Sequence, residues 1–144
     1  MSDKPSIIHG NYYADDRGKM SFINDFLMHE VKRFYTITPK DTETIRAWQG
    51  HRIEEKWFHV LQGRFLIGLV KIDDWETPSD SLKVEKFILS TQENQVLHIP
   101  KGYANGFRAL EDNAQLLVFS STTLAEAAHD NYRFDAQKWC DWTI

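Results

Sequence analysis

The chain predicts an all-β sandwich or barrel, on three observations. Short strand-like runs recur along its 144 residues, turn signals separate them, and a single stretch has helical character. The first run, Lys32 to Thr38, alternates so that Val31, Arg33, Tyr35 and Ile37 oppose Lys32, Phe34 and Thr36. Arg33 and Tyr35 therefore share a face and can reach one ligand, although alternation alone does not say which face is inside. Further runs follow at Lys56 to Leu61, Arg64 to Ile72, Lys83 to Leu89, Gln95 to Ile99, Gly106 to Leu110 and Gln115 to Ser121. Between them lie Pro39-Lys-Asp, Gln62-Gly, Thr77-Pro-Ser-Asp, Pro100-Lys-Gly and Glu111-Asp-Asn, which supply the glycine, proline or Asx chemistry of tight reversals. The helical stretch is Thr122 to His129, near the C-terminus, where Thr122 or Thr123 can cap a short Leu-Ala-Glu-Ala-Ala turn.

Length and 42% hydrophobic content predict one domain spanning residues 1–144, with a core that needs no covalent staple. A net charge of -4 argues against a nucleic-acid or anionic-membrane surface, while leaving room for a local cationic pocket. The single cysteine, Cys140, has no intramolecular disulfide partner, and no charged-then-apolar leader or long apolar run is present. These features predict a soluble cytoplasmic protein without membrane partners.

Chemistry-bearing residues concentrate between Ile45 and Gly63. Arg46, Gln49, His51, Glu55 and Lys56 fall in one bend between strands, and Ile99 to Phe107 brings a second glycine-bounded segment some forty residues later. Strict alternation would put His51 opposite Lys56, so the two converge only where the chain bends at residues 52–54. His51 is either a proton-transferring base or a hydrogen-bonded structural histidine. Lys56 is either an oxyanion stabiliser or the ion-pair partner of Glu54 or Glu55. Trp48, Trp57, Phe58, Phe65 and Phe107 are read chiefly as core. His9, His29, His59, His98 and His129 are scattered and read as structural, His98 least securely because it precedes the Pro100 turn. Trp75, Trp139 and Trp142 are read as packing or interface residues.

Several motifs in order resemble the deoxysugar-nucleotide cupins, which comprise the dTDP-4-dehydrorhamnose 3,5-epimerases and the dTDP-sugar 3,4-ketoisomerases. Asp15-Asp-Arg-Gly18 looks like the family's D-x-R-G opening, and Lys32-Arg-Phe-Tyr-Thr-Ile37 looks like the ketoisomerase strand K-R-x-Y-x-I. Lys56-Trp-Phe-His-Val-Leu-Gln-Gly63 is similar to K-L-V-x-V-x-x-G, Asp73-Asp-Trp-Glu-Thr-Pro-Ser79 to D-x-R-x-x-S-P, and Ile99-Pro-Lys-Gly-Tyr-Ala-Asn-Gly-Phe107 to I-P-x-G-x-A-H-G-F. The likeness implies a cupin jelly-roll barrel, a homodimer that exchanges N-terminal strands, and a nucleotide-sugar ligand. Departures are equally informative. Where epimerases carry R-G-x-H and ketoisomerases R-G-x-H-A-H, this chain has Arg46-Ala-Trp-Gln-Gly-His51, so Gln49 replaces the first histidine and only His51 survives. The epimerase tyrosine acid has no counterpart in Ser120-Ser-Thr-Thr-Leu124. A metal-binding cupin needs several N/O ligands at once, and Gln49 and Asn105 stand where two of its histidines would be. No metal and no other cofactor is expected.

The expected function is isomerisation or epimerisation of a nucleotide-linked 4-keto-6-deoxyhexose in surface polysaccharide synthesis, by metal-free proton transfer. His51 and Lys56 are the expected catalytic pair; Arg17, Arg33, Tyr35, Arg46, Gln49 and Asn105 are the expected substrate-binding set. A non-catalytic carbohydrate- or nucleotide-sugar-binding accessory protein is the alternative, favoured by Gln49 and the missing tyrosine.

Overall fold

A computed structural model describes residues 3–144. The strands in chain order are β1 (Ser6–His9), β2 (Asn11–Asp15), β3 (Gly18–Phe22), β4 (Arg33–Ile37), β5 (Arg46–His51), β6 (Lys56–Gln62), β7 (Arg64–Lys71), β8 (Glu85–Ser90), β9 (Gln95–Ile99), β10 (Tyr103–Ala109), β11 (Gln115–Ser120) and β12 (Tyr132–Arg133). One short helix, α1 (Leu124–Ala127), precedes β12. Two five-stranded sheets, β1-β9-β6-β11-β4 and β12-β5-β10-β7-β8, form a jelly-roll sandwich, and β2 and β3 make a separate hairpin. The all-β cupin jelly roll is thus the observed fold, with one correction. Hydrogen bonding does not run round a closed barrel; the sheets face each other as a sandwich.

Each predicted strand is present within a few residues at its ends, and α1 starts on Thr123 with a reciprocal cap between its hydroxyl and Glu126. Among the described residues, no helix is long and apolar enough to cross a membrane. Alternation in β6 and β11 sends Phe58, Val60, Leu116 and Val118 between the sheets, where they meet Phe65, Ile67, Leu69, Leu97, Ile99 and Phe107. Strand β7 is buried on both faces. Its other face, Leu66 and Val70, packs with Trp48 and Ala104 under Cys140 and Trp142 of the C-terminal segment. Trp48 Nε1 donates to Lys138 O at 2.7 Å, and Trp142 Nε1 donates to Ala136 O at 2.7 Å, so both buried indoles find partners. A side chain at Gly106 would meet Ala47 at 2.5 Å and Trp142 at 2.6 Å, which is why β10 carries glycine there. Trp75, Trp139 and Trp142 all pack into this aromatic layer. On the opposite sheet the outer face is covered by Phe26, Ile23 and Val31, which lie against Trp57 and Val96.

Candidate active site

A cavity of about 680 Å³ opens between the sheets, within the range that holds a small organic ligand. Strand β4 contributes Arg33 and Tyr35 from one face, which settles the alternation: this face is inward, and Phe34 is exposed on the other. Strand β5 adds Arg46, Gln49 and His51; β6 adds Lys56 and Phe58; β10 adds Asn105 and Phe107; Asn131 and Arg133 come from beyond α1.

The chain does bend at residues 52–54, and Asp130 is the cause. Its buried carboxylate accepts the backbone N–H groups of Arg52, Ile53 and Glu54 at 2.8, 2.9 and 2.8 Å. Three hydrogen bonds to one side chain hold the reversal. Past the reversal, Glu54 and Lys56 line the same cavity as His51. Glu55 points away and pairs with His98 at 2.8 Å. The carboxylate beside His51 is therefore Glu54, whereas Glu55, which the sequence groups with His51 in one bend, lies elsewhere.

His51 is buried, and its Nδ1 lies 2.7 Å from the Asp130 carbonyl oxygen. A carbonyl only accepts, so Nδ1 carries the proton and Nε2 the lone pair in the neutral ring. Nε2 is buried and, among the described residues, has no hydrogen-bond partner. Burial lowers the His51 pKa first, Lys56 lowers it further, and Glu54 opposes both. Glu54 is 2% exposed; its Oε2 accepts from Ser120 Oγ at 2.5 Å and from Arg33 Nη2 at 3.3 Å. Oε1 has no hydrogen-bond partner and lies 3.4 Å from His51 Nδ1.

Lys56 Nζ donates to Gln49 Oε1 at 3.2 Å, and Gln49 Nε2 donates to Asn131 Oδ1 at 3.0 Å. Asn105, opposite Gln49 in the β5–β10 register, donates through Nδ2 to the Gln49 carbonyl at 3.3 Å. Burial, with Arg33, Arg133 and Arg46 nearby, lowers Lys56 to about 8, against the pull of Glu54. Tyr35 is pushed up to about 12, by burial first and then by Glu54, so it is a neutral hydroxyl at physiological pH. Arg33 is braced by Thr122 O at 3.1 Å and by Glu54, and its guanidinium lies 5.1 Å from the Tyr35 ring centroid. Arg46 and Arg133 line the same cavity and make no side-chain hydrogen bond or ion pair among the described residues.

Arg17 is the predicted residue that this arrangement leaves out. It sits on the β2–β3 turn, bonded to Asp15 at 2.6 Å and exposed, and it is not part of the cavity wall. Sequence reading missed Glu54, Asp130, Asn131 and Arg133. The parity of Glu54 with Lys56 past a bend was a usable signal, and the His129-Asp-Asn131 run after a helix marked a turn. Neither assigned a partner seventy to eighty residues away.

A family profile described as dTDP-4-dehydrorhamnose 3,5-epimerase matches residues 7–142. The probable low-salt glycan biosynthesis epimerase Agl13 of Haloferax volcanii is 29% identical over 118 residues, which cover 77% of this chain and 72% of Agl13. Among solved structures, the QdtA 3,4-ketoisomerase of Thermoanaerobacterium thermosaccharolyticum, a double mutant in complex with TDP, superposes with a TM-score of 0.72 at 24% identity, covering 93% of this chain and 90% of its own. The dTDP-4-dehydrorhamnose 3,5-epimerase of Bacillus anthracis, with TDP and PPi bound, gives a TM-score of 0.78 at 18% identity, with 97% and 85% covered. At these identities the structural likenesses establish the shared fold.

Proposed function

The chain belongs to the dTDP-4-dehydrorhamnose 3,5-epimerase family, and on that premise we propose that it isomerises a dTDP-linked 4-keto-6-deoxyhexose with His51 as the single base. Family membership supports sugar-nucleotide epimerase or isomerase activity; the choice of a one-base reaction is our own reading. The observation that carries it is the His51 ring, with Nδ1 pinned to the Asp130 carbonyl and Nε2 buried and unpaired beside Lys56.

In this mechanism Nε2 takes the proton from C3, and the C–H electrons form a C3=C4 double bond as charge develops on the C4 oxygen. Lys56 stabilises that oxyanion and gives it a proton. The imidazolium then returns its proton to C4, the C3 hydroxyl yields its proton to Lys56, and the ketone has moved from C4 to C3. Double epimerisation would demand a base and a separate acid on opposite faces of the ring, and Gln49, held between Lys56 and Asn131, cannot take a proton.

Arg46 and Arg133, whose side chains make no hydrogen bond or ion pair among the described residues, are suited to the diphosphate, because a guanidinium fork matches phosphate oxygens. Gln49 and Asn105 occupy one end of the cavity with amides, and among the described residues no group of three or more His, Cys, Asp or Glu converges. That donor set supports a reaction run without a metal ion. The β2–β3 hairpin pairs with neither sheet. It is tied to the β8–β9 connection through Tyr12 Oη to Thr91 O and Asn94 Nδ2 to Phe22 O, and a hairpin outside both ladders is in keeping with the strand-exchanging homodimer expected from the resemblance. The relative named for glycan biosynthesis supports a role in building a surface polysaccharide from cytoplasmic precursors.

The test is incubation with dTDP-4-keto-6-deoxyglucose in deuterated water, followed by NMR of the sugar. Deuterium at one carbon together with a 3-keto product is the expected result. Deuterium at both C3 and C5 would place the protein with the double epimerases. Binding without exchange or product would favour the accessory, non-catalytic reading, for which the Gln49 substitution is the supporting observation.

A further inference from the structure

We propose that Glu54 is a positioning residue whose free Oε1 orients and stabilises the imidazolium formed when His51 Nε2 takes a proton from substrate; this rests on the one-base reading above. The geometry separates the two oxygens of this carboxylate. Oε2 is committed to Ser120 Oγ and Arg33, while Oε1 is buried without a hydrogen-bond partner 3.4 Å from His51 Nδ1. A buried carboxylate oxygen with nothing to accept is costly in the resting protein. Protonation of the His51 ring would give Oε1 an adjacent cation in addition to the Arg33 that Oε2 already meets.

The charges facing His51 make that state otherwise unfavourable. Lys56, from β6, acts on His51 directly, and the neutral Tyr35 and the cations Arg33 from β4, Arg46 from β5 itself and Arg133 from β12 line the same cavity. Asp130, from the loop after α1, has its carboxylate committed to three backbone N–H groups and offers His51 its carbonyl instead. Among the described residues lining the cavity, Glu54 is the one carboxylate. It therefore offsets burial and Lys56, which both hold His51 neutral, in line with the direction of its influence on that histidine. Sequence position hides this role, because Glu54 comes from the bend and its fixing partners Ser120 and Arg33 come from β11 and β4.

The bland alternative is that Glu54 only ties Arg33 to Ser120. A structural tie would affect melting temperature and leave the titration of His51 where it was. The experiment is an NMR titration of the ¹⁵N-labelled imidazole of His51 in the full chain without substrate, comparing wild type with Glu54→Gln. The expected result is a His51 midpoint at least about one pH unit lower in the variant, a tenfold weaker proton affinity. The acid limb of kcat/KM should move down by the same amount, and dTDP affinity measured by calorimetry should be unchanged. An unmoved midpoint overturns the proposal. Should Glu54→Gln fail to fold, Glu54→Asp withdraws the carboxylate by one methylene while keeping its charge near Arg33; a smaller downward shift supports the proposal and no shift overturns it. Absence of deuterium exchange in the wild type would sink the isomerase reading and leave the titration result standing.

Discussion

Glu54 and Glu55 are neighbours in the chain, each meets a histidine, and the two pairs differ in almost every physical respect. Glu55 accepts from His98 Nε2 at 2.8 Å on the outer face of the first sheet, where the His98 ring stacks on Trp57 with centroids 5.1 Å apart. The two facing atoms, Glu55 Oε1 and His98 Nε2, satisfy each other. Glu54 and His51 face the cavity at 3.4 Å, and one atom of each, Oε1 and Nε2, is buried without a partner. The outer pair is joined by a direct hydrogen bond, whereas the inner pair leaves an acceptor on each residue that, in the proposed mechanism, receives a proton or its charge. One residue of register decides which kind of site a carboxylate joins, since successive side chains of an extended chain take opposite faces.

Histidine replacement should separate the pairs most sharply. His51→Asn is expected to keep the fold and dTDP binding while lowering kcat by roughly 10²–10⁴, the usual contribution of a positioned general base. His98→Asn should leave kcat within about threefold, because an outer-face imidazole touches nothing in the cavity. Steady-state rates on a dTDP-4-keto sugar, with melting curves for both variants, make the check. Comparable losses in the two would erase the distinction between them.

Lys56 sharpens the same contrast through stability. Its folded pKa, about 8 against an ordinary 10.5, means that the unfolded chain binds the extra proton between those values. Stability from this group therefore rises as pH climbs from about 8 towards 10.5 and is at its lowest below 8, where the buried ammonium is charged. In the proposed mechanism catalysis runs the other way, since the oxyanion would need that charge, and kcat should fall as pH rises through about 8. Lys56→Met should cut kcat by about 10² yet not lower Tm, because burial outweighs the pull of Glu54 and Lys56 makes no ion pair among the described residues. A drop in Tm of more than about 4 °C would show that the Lys56–Gln49–Asn131 chain of hydrogen bonds stabilises the fold.

How much of this was legible in the sequence follows from where each partner lies. Strands β4, β6, β7, β9 and β11 announce themselves by alternation or by long apolar runs. Strand β5 reads as a bend because Arg46-Ala-Trp-Gln-Gly-His51 has no β-branched residue, and pairing with β10 and β12 imposes its extended form. Strands β1 to β3 carry little burial contrast and pass unread. In the site, His51, Lys56, Gln49, Asn105, Arg33, Tyr35 and Arg46 do share one cavity, as the motifs suggested. Glu54 and Arg133 did not emerge, because their meaning depends on a reversal fixed by Asp130 and on a two-residue strand eighty residues from β5.

A smaller effect is expected at the mouth of the inner site. Arg46→Ala and Arg133→Ala should each weaken dTDP binding by about tenfold, the contribution of one charge-assisted phosphate contact. Calorimetry with dTDP and with thymidine separates the diphosphate from the base. Equal losses for both ligands would move the arginines off the phosphates, and no loss for either would remove the clamp from the mechanism.

The smallest effect is expected from Glu55→Ala, and its smallness is what the comparison demands. The substitution removes one charge-assisted hydrogen bond from a contact whose side chains are each 14% exposed. It leaves the Trp57–His98 stack and the Phe26 cover in place. A net loss of about 1 kcal/mol is the scale for such a bond, which lowers Tm by roughly 2–4 °C in a chain of this size. Rate and dTDP affinity should both stay within about twofold of wild type, because nothing links Glu55 to the cavity except the backbone of the bend, and Asp130 holds that backbone through Glu54 N–H and not through Glu55. The amide of Glu55 is held separately by Ser121 Oγ at 2.8 Å, so truncating the side chain should not loosen the reversal. A rate loss beyond tenfold with Tm unchanged would mean that the outer pair positions Lys56 through β6, and the two His–Glu pairs would then be parts of one device.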